Sequence, residues 1–305
     1  ALEISKNTFE QADMAIIAYS HNFPDAMFGG KLAVTYNMPI LLSQKDKISD
    51  EVMAELDRLK VKKVYILGGQ SAISLKAERQ LLNKYSVKRL AGKDRAHTAW
   101  EINLEITRIA EGIPDTEPLP AWDFSSQIMA SGYDFADALS AAPFVGQLKG
   151  SEEVNLYGHY PTESYAFVPY FGDELFYGGA FIIGGPKAVP HMWPSDEYHA
   201  QGVGRRIYGA NRYATAVEIA KLYPLSIGKE IDTVVLASGL NYPDALAAAP
   251  YVSTQNAALL LTHPSQLSIE TKRYIQNHKI KNVIVLGGEK AVSPNVVKEL
   301  ESMIF

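Results

Sequence analysis

Apolar positions along the chain fall into short unbroken runs. Segments with helical spacing separate them. The runs at 12–18, 38–42 and 64–67 read as buried strands. Between them, 49–59 places Val52, Leu56 and Leu59 on one face, as a surface helix does. A helix is also predicted from about Phe23, with Pro24 in its first turn, and another from Ser74, with Leu75, Leu81 and Leu82 inward. Residues 1–11 read as the end of a helix. A short strand at 87–90 leads to a turn at Gly92, and a helix follows from Thr98. Near the end of the chain the same course returns: 233–237, 257–262, 268–278 and 283–286, with Ser293-Pro294 opening the last helix. Continuous apolar strands alternating with helices predict an α/β fold, a parallel sheet covered on both faces.

The recurrence extends to motifs. Residues 236–252, LASGLNYPDALAAAPYV, echo 17–33, IAYSHNFPDAMFGGKLA, and 129–145, MASGYDFADALSAAPFV. A second motif recurs as VYILGGQSAIS (64–74), FIIGGPKAVP (181–190) and VIVLGGEKAVS (283–293). The motif Asp precedes the first Gly of its pair by 43, 47 and 43 residues. A third, R-x-x-G-x-[DN]-R, heads RLAGKDRAHTAWEI (89–102) and RIYGANRYATAVEI (206–219). The opening ALEI fits the tail of that motif, so the first copy is expected to lack its Arg-rich head. Three copies in one order define repeats, with boundaries expected at 1–88, 89–205 and 206–305. In the first copy His21 is read as standing in place of the motif Gly. In the second, Pro190 replaces the Ser of Ser74 and Ser293.

The middle repeat is divergent. Nine aromatic residues crowd between Tyr157 and Phe181, and 154–157 is read as its second strand. Such a block either stacks on sugars or a partner, or forms a rebuilt core, since clustered aromatics dominate buried area. Pro190 and Pro194 break the helix expected after the second Gly pair.

Composition narrows the classes. Apolar residues make up 47%, enough for a core in each repeat, and a net charge of −5 argues against a nucleic-acid face. Without Cys there is no disulfide frame or thiolate nucleophile, a composition that suits an exported protein. No apolar run reaches the ~18 to 20 residues of a membrane span.

Four sets of residues carry candidate chemistry. Asp25, Asp137 and Asp244 sit where a strand-to-helix loop meets its helix, outside the carboxyl ends of strands where ligands bind in open sheets. They are either ligand contacts or capping-box acids. The Gly pairs at 68-69, 184-185 and 287-288 form neither a dinucleotide nor a P-loop signature, and serve either anion approach or tight packing. Arg89, Arg95, Arg206 and Arg212 either fork onto an anionic polymer or make ion pairs between repeats, with a motif Asp as a candidate acceptor. Ser20, Ser131 and Ser238 recur without a recurring His, and no nucleophile elbow is present. His191, His199, Asp196 and Glu197 lack a standard metal-ligand spacing. An α/β enzyme with a motif Asp as base is the remaining catalytic alternative.

With the three motifs in hand, the chain resembles the type 2 cell wall binding repeat, found in tandem threes in surface-layer and cell wall proteins of Gram-positive bacteria such as clostridia. The resemblance is carried by R-I-Y-G-A-N-R-Y-A-T-A from Arg206, S-G-x-x-x-x-D-A-L from Ser238 and V-L-G-G-E-K-A-V-S from Val285, and covers nearly the whole chain. It implies three Rossmann-like parallel-sheet repeats packed with pseudo-threefold symmetry. It also implies a secreted, non-catalytic module without cofactor or metal, anchored non-covalently to an anionic cell wall polysaccharide. The ligand-binding residues expected are Arg89, Arg95, Arg206, Arg212, Asp25, Asp137, Asp244, Ser238 and Gly239. Other surface-layer chains, or a cleaved fragment of the same precursor, are the alternative partners, in a scaffold acting through protein–protein contacts.

Overall fold

A computed structural model describes residues 1–21, 25–119, 126–148, 165–170, 179–190 and 206–304. Helix α1 (Leu2–Thr8) leads into the first unit: β1 (Met14–Tyr19), α2 (Gly29–Thr35), β2 (Ile40–Ser43), α3 (Asp50–Arg58), β3 (Lys63–Leu67), α4 (Leu75–Leu82) and β4 (Ser86–Leu90). Its four strands are parallel, in the order β2-β1-β3-β4. Because the order reverses after β2, right-handed crossovers put α2 on one face of the sheet and α3 and α4 on the other. Ser49 and Ser74 cap α3 and α4 by accepting from the amides of Val52 and Ala77.

The second unit follows α5 (Arg95–Ala110) and comprises β5 (Ser126–Ser131), α6 (Ala136–Val145), β6 (Tyr165–Tyr170), β7 (Gly179–Ile183) and β8 (Arg206–Ile207), in the order β6-β5-β7-β8. The third follows α7 (Arg212–Ala220) and the short α8 (Tyr223–Ser226). It holds β9 (Thr233–Ser238), α9 (Pro243–Thr254), β10 (Ala257–Thr262), α10 (Ile269–Asn277), β11 (Asn282–Val285) and α11 (Pro294–Ile304), with strand order β10-β9-β11. All pairings between these strands are parallel. Every residue of β9 and β10 is buried, as their unbroken apolar runs require.

Two expectations are corrected. The second strand of the middle sheet is β6, in register with β5 from Ser126↔Tyr165 onward; 154–157 lies outside the described residues. Where aromatics crowd, periodicity does not single out the pairing segment. What fixes β6 is Phe167, buried edge-on against Phe28 at 4.7 Å. The first motif helix begins at Gly29, not near Phe23, because 25–28 form turns that carry Asp25 toward Gly68.

The three central helices α2, α6 and α9 pack pairwise. They meet at equivalent positions, Gly30, Ala142 and Ala249, five residues after each motif Asp. A Cβ on Gly30 would lie 2.6 Å from the Cβ of Ala142 and 3.3 Å from that of Ala249. The pseudo-threefold axis therefore passes through a contact of small residues. Helix α9 also covers β2, and α6 covers β10, so each unit buries part of its neighbour and one apolar core runs through all three.

The folded unit and the sequence repeat are out of phase. The Arg-rich head of each repeat forms the fourth strand of the preceding sheet, β4 on β3 and β8 on β7. The helix after that head then crosses to the next sheet, α5 onto β6 and α7 onto β10. Buried Glu105 on α5 anchors the first of these crossings, accepting from Tyr65 Oη at 2.8 Å and pairing with Lys88 on β4.

Candidate functional site around the pseudo-threefold axis

Strands β1, β5 and β9 each run into a loop that feeds a central helix. Because those helices meet on the axis, the three loops gather on one face at the carboxyl ends of the strands. In the second and third loops a buried serine shapes the turn. Ser131 Oγ accepts from the amide of Tyr133 and Ser238 Oγ from that of Leu240, both at 3.2 Å. Gly239 is required beside it, since a Cβ there would sit 2.5 Å from the Tyr213 ring.

The first loop starts in the same way with other side chains. The amide of Ser20 donates to Ser43 O at 2.9 Å, as that of Gly239 does to Thr262 O at 2.8 Å. Ser20 therefore takes the Gly position and Tyr19 the Ser position, which corrects the reading of His21 as the Gly replacement. Counted back from the motif Asp, His21, Tyr133 and Leu240 become the three equivalent loop tips. All are exposed, Tyr133 to 65% and Leu240 to 54%. Sequence reading missed them because it aligned on serine; counting back from the Asp would have found them.

The loops are tied to one another. The carbonyl of Gly239 accepts from Arg212 Nη1 at 2.6 Å, that of Gly132 from Arg95 Nη1 at 3.5 Å and that of Ser20 from Tyr242 Oη at 2.8 Å. Arg212 also pairs with Asp134 in the second loop at 2.7 Å and lies 5.7 Å over the Phe135 ring. Phe135 meets Tyr242 edge-on at 6.0 Å. Arg212 thus makes an ion pair between repeats, onto Asp134 and not onto a motif Asp.

The other candidate residues lie behind this face. Arg89 Nη1 donates to Gly68 O at 2.7 Å and Arg206 Nη1 to Gly184 O at 2.8 Å, fastening each head strand to the Gly pair of the sheet it completes. Arg89 also pairs with Glu78 at 2.7 Å. Asp25, Asp137 and Asp244 approach Gly68, Gly184 and Gly287. These glycines have φ of 92°, 111° and 95°, a region L side chains rarely adopt, and a Cβ there would lie 2.7, 2.6 and 2.5 Å from the Asp Oδ2. Among the described residues the N-cap positions of the three central helices fall to Phe28, Phe135 and Tyr242, none with a side-chain cap. Burial pushes Asp137 up to about 6; nearby Asp134 adds to the rise, while Arg212 and a hydrogen bond from Thr215 oppose it. Burial likewise raises Asp25, against Thr98 and Arg95. The His191–His199 cluster and most of the aromatic block lie outside the described residues. No helix among those residues is long and apolar enough to cross a membrane.

A family model described as cell wall binding domain 2 matches residues 1–78, 89–192 and 206–297. The chain belongs to the cell wall binding domain 2 family. Two solved structures share the architecture. Cwp8 from Clostridium difficile superposes with a TM-score of 0.75 at 23% identity, over 99% of this chain and 49% of that one. Cwp6 from the same organism gives 0.75 at 22%, over 95% and 44%. Among curated proteins, the N-acetylmuramoyl-L-alanine amidase LytC of Bacillus subtilis is 27% identical over 305 residues, all of this chain and 56% of LytC. An amidase enhancer of the same species is 22% identical over 301 residues, 99% of this chain and 38% of that protein. The chain therefore spans about half or less of these relatives. The three cell wall binding domain 2 repeats make it a binding module that associates with the cell wall.

Proposed function

We propose that the loop face around the axis grips an anionic secondary wall polymer and so holds a surface protein on the Gram-positive wall, without catalysis. The observation that carries this reading is the convergence of three motif loops, more than a hundred residues apart in sequence, on one face that also holds Arg95 and Arg212. A guanidinium stays charged at every physiological pH, and its planar fork matches the oxygens of an anionic group. In this reading Ser238 and Gly239 shape the loop, and His21, Tyr133 and Leu240 touch the chain of sugars. Arg89, Arg206, Asp25, Asp137 and Asp244 hold the frame behind it. Three like loops facing a repeating polymer add weak contacts through effective concentration.

Co-sedimentation with purified wall polymer tests this. Arg95→Ala with Arg212→Ala should weaken retention roughly tenfold or more, equivalent to about 1.4 kcal/mol, with the far-ultraviolet circular dichroism unchanged. Unchanged retention would reject the polymer site. Exposed Tyr133, Tyr208 and Leu240 favour a second reading, a surface-layer scaffold whose faces mate with other protein chains. Retention by polymer stripped of all protein counts against that alternative.

A further inference from the structure

The three motif loops differ at one position on the face they share. Three residues before the motif Asp, the second loop has Asp134, whereas the first and third have Asn22 and Asn241. Asp134 Oδ2 accepts from Arg212 Nη2 at 2.7 Å, and its Oδ1 accepts from the amide of Ala136 at 3.1 Å. The Arg212 side chain keeps 29% of its surface open to solvent and that of Asp134 keeps 48%. An incoming group can reach both partners of this pair.

Arg212 has other contacts that hold it in place. Its Nη1 donates to the carbonyl of Gly239 at 2.6 Å, and its guanidinium lies 5.7 Å over the Phe135 ring. Carbonyl and ring set the direction and plane of the fork, and Asp134 takes its Nη2 end. The second loop does not depend on the negative charge either. An Asn oxygen would accept from the Ala136 amide as the carboxylate does. An ion pair this exposed adds little to stability. The carboxylate of Asp134 therefore sits where the anionic group of a ligand would sit, on an arginine already oriented without it.

We propose, resting on the reading of the loop face as a polymer site, that Asp134 is a built-in competitor at the Arg212 subsite. Its carboxylate occupies the fork until an anionic group of the wall polymer replaces it, and this exchange sets the affinity of the face. Asp134 is tethered beside Arg212, so its effective concentration there is high. A polymer already held at Arg95 is tethered in turn, and displaces it on equal terms. On release, Asp134 turns to solvent, which its exposure allows.

Titration of purified wall polymer against the full chain tests this. A mildly alkaline pH keeps Asp137, beside Asp134, ionised throughout. Asp134→Asn should tighten binding roughly two- to fivefold, the factor an exposed ion pair carries. Glu270→Gln removes an equal charge close to the same face, at the partner of Asn211, without freeing Arg212, and should leave binding as in the parent. Equal gains from the two substitutions would reduce the effect to net charge and overturn the proposal. Unchanged or weaker binding by Asp134→Asn would overturn it too. In either case the polymer site itself survives if Arg95→Ala with Arg212→Ala still weakens binding. If that double variant binds like the parent, the site and its competitor fall together.

Discussion

At Gly30 the three units leave no room for a methyl group. Ala142 and Ala249 sit at the equivalent positions of backbone helices that cannot easily part, so Gly30→Ala overpacks the axis. The expected cost is roughly 1–3 kcal/mol, read as a lower urea midpoint, whereas Gly288→Ala, with nothing within 4 Å of the added Cβ, perturbs no packing. Asp137 gives a prediction in pH. Its folded value, about 6, lies above its ordinary 3.8. The folded state thus holds the proton more tightly, so this group's contribution is complete below the ordinary value and disappears as pH rises through about 6. Asp137→Asn should flatten that part of the melting-temperature profile and be no less stable than the parent at neutral pH. A variant that keeps the parent's slope would show that another group is responsible. At this scale the motif Asp, Gly and Arg residues stand out in the sequence, but their contacts do not. Asp25 and Asp137 look like capping acids by spacing, and only the fold shows them turned toward a glycine at positive φ. The one-residue offset that puts Ser20, not His21, opposite Gly239 is equally hidden until the strands are in register.

Among the elements, α5 shows how a helix can close a sheet edge. Asn103 donates to the carbonyl of Phe167 and accepts from its amide, both at 2.9 Å, clipping the outer edge of β6 to the helix. Asn103→Ala would leave both backbone groups buried and unpaired. A loss of about 1–3 kcal/mol is expected, and amide exchange at Phe167 should quicken; protection as in the parent would refute the clip. Most strands and helices of the first and third units are legible as apolar runs and 3.6-residue spacing. The pairing partner of each head strand is not. A repeat in sequence fixes a period but not where the folded unit is cut, and Arg89 and Arg206 reveal that only by bonding to the Gly of the sheet before them. Strand β6 was hidden for another reason: in a stretch where most residues are aromatic, neither periodicity points to one segment.

Over the whole molecule, three copies of one α/β unit pack about an axis of small residues and present three like loops on one face. The tandem motifs announce the repeat and its family; the gathering of the loops needs the helix contacts. If Arg95 and Arg212 pair with the polymer as proposed, retention is sensitive to salt, because charges near the surface are screened over about 8 Å at physiological ionic strength. The most direct measurement is binding of the purified chain to isolated wall polymer, before and after chemical removal of its charged groups. The account predicts retention by the charged polymer that falls as salt rises and is largely lost once the charges are gone. Equal retention on charged and uncharged polymer, indifferent to salt, would contradict it.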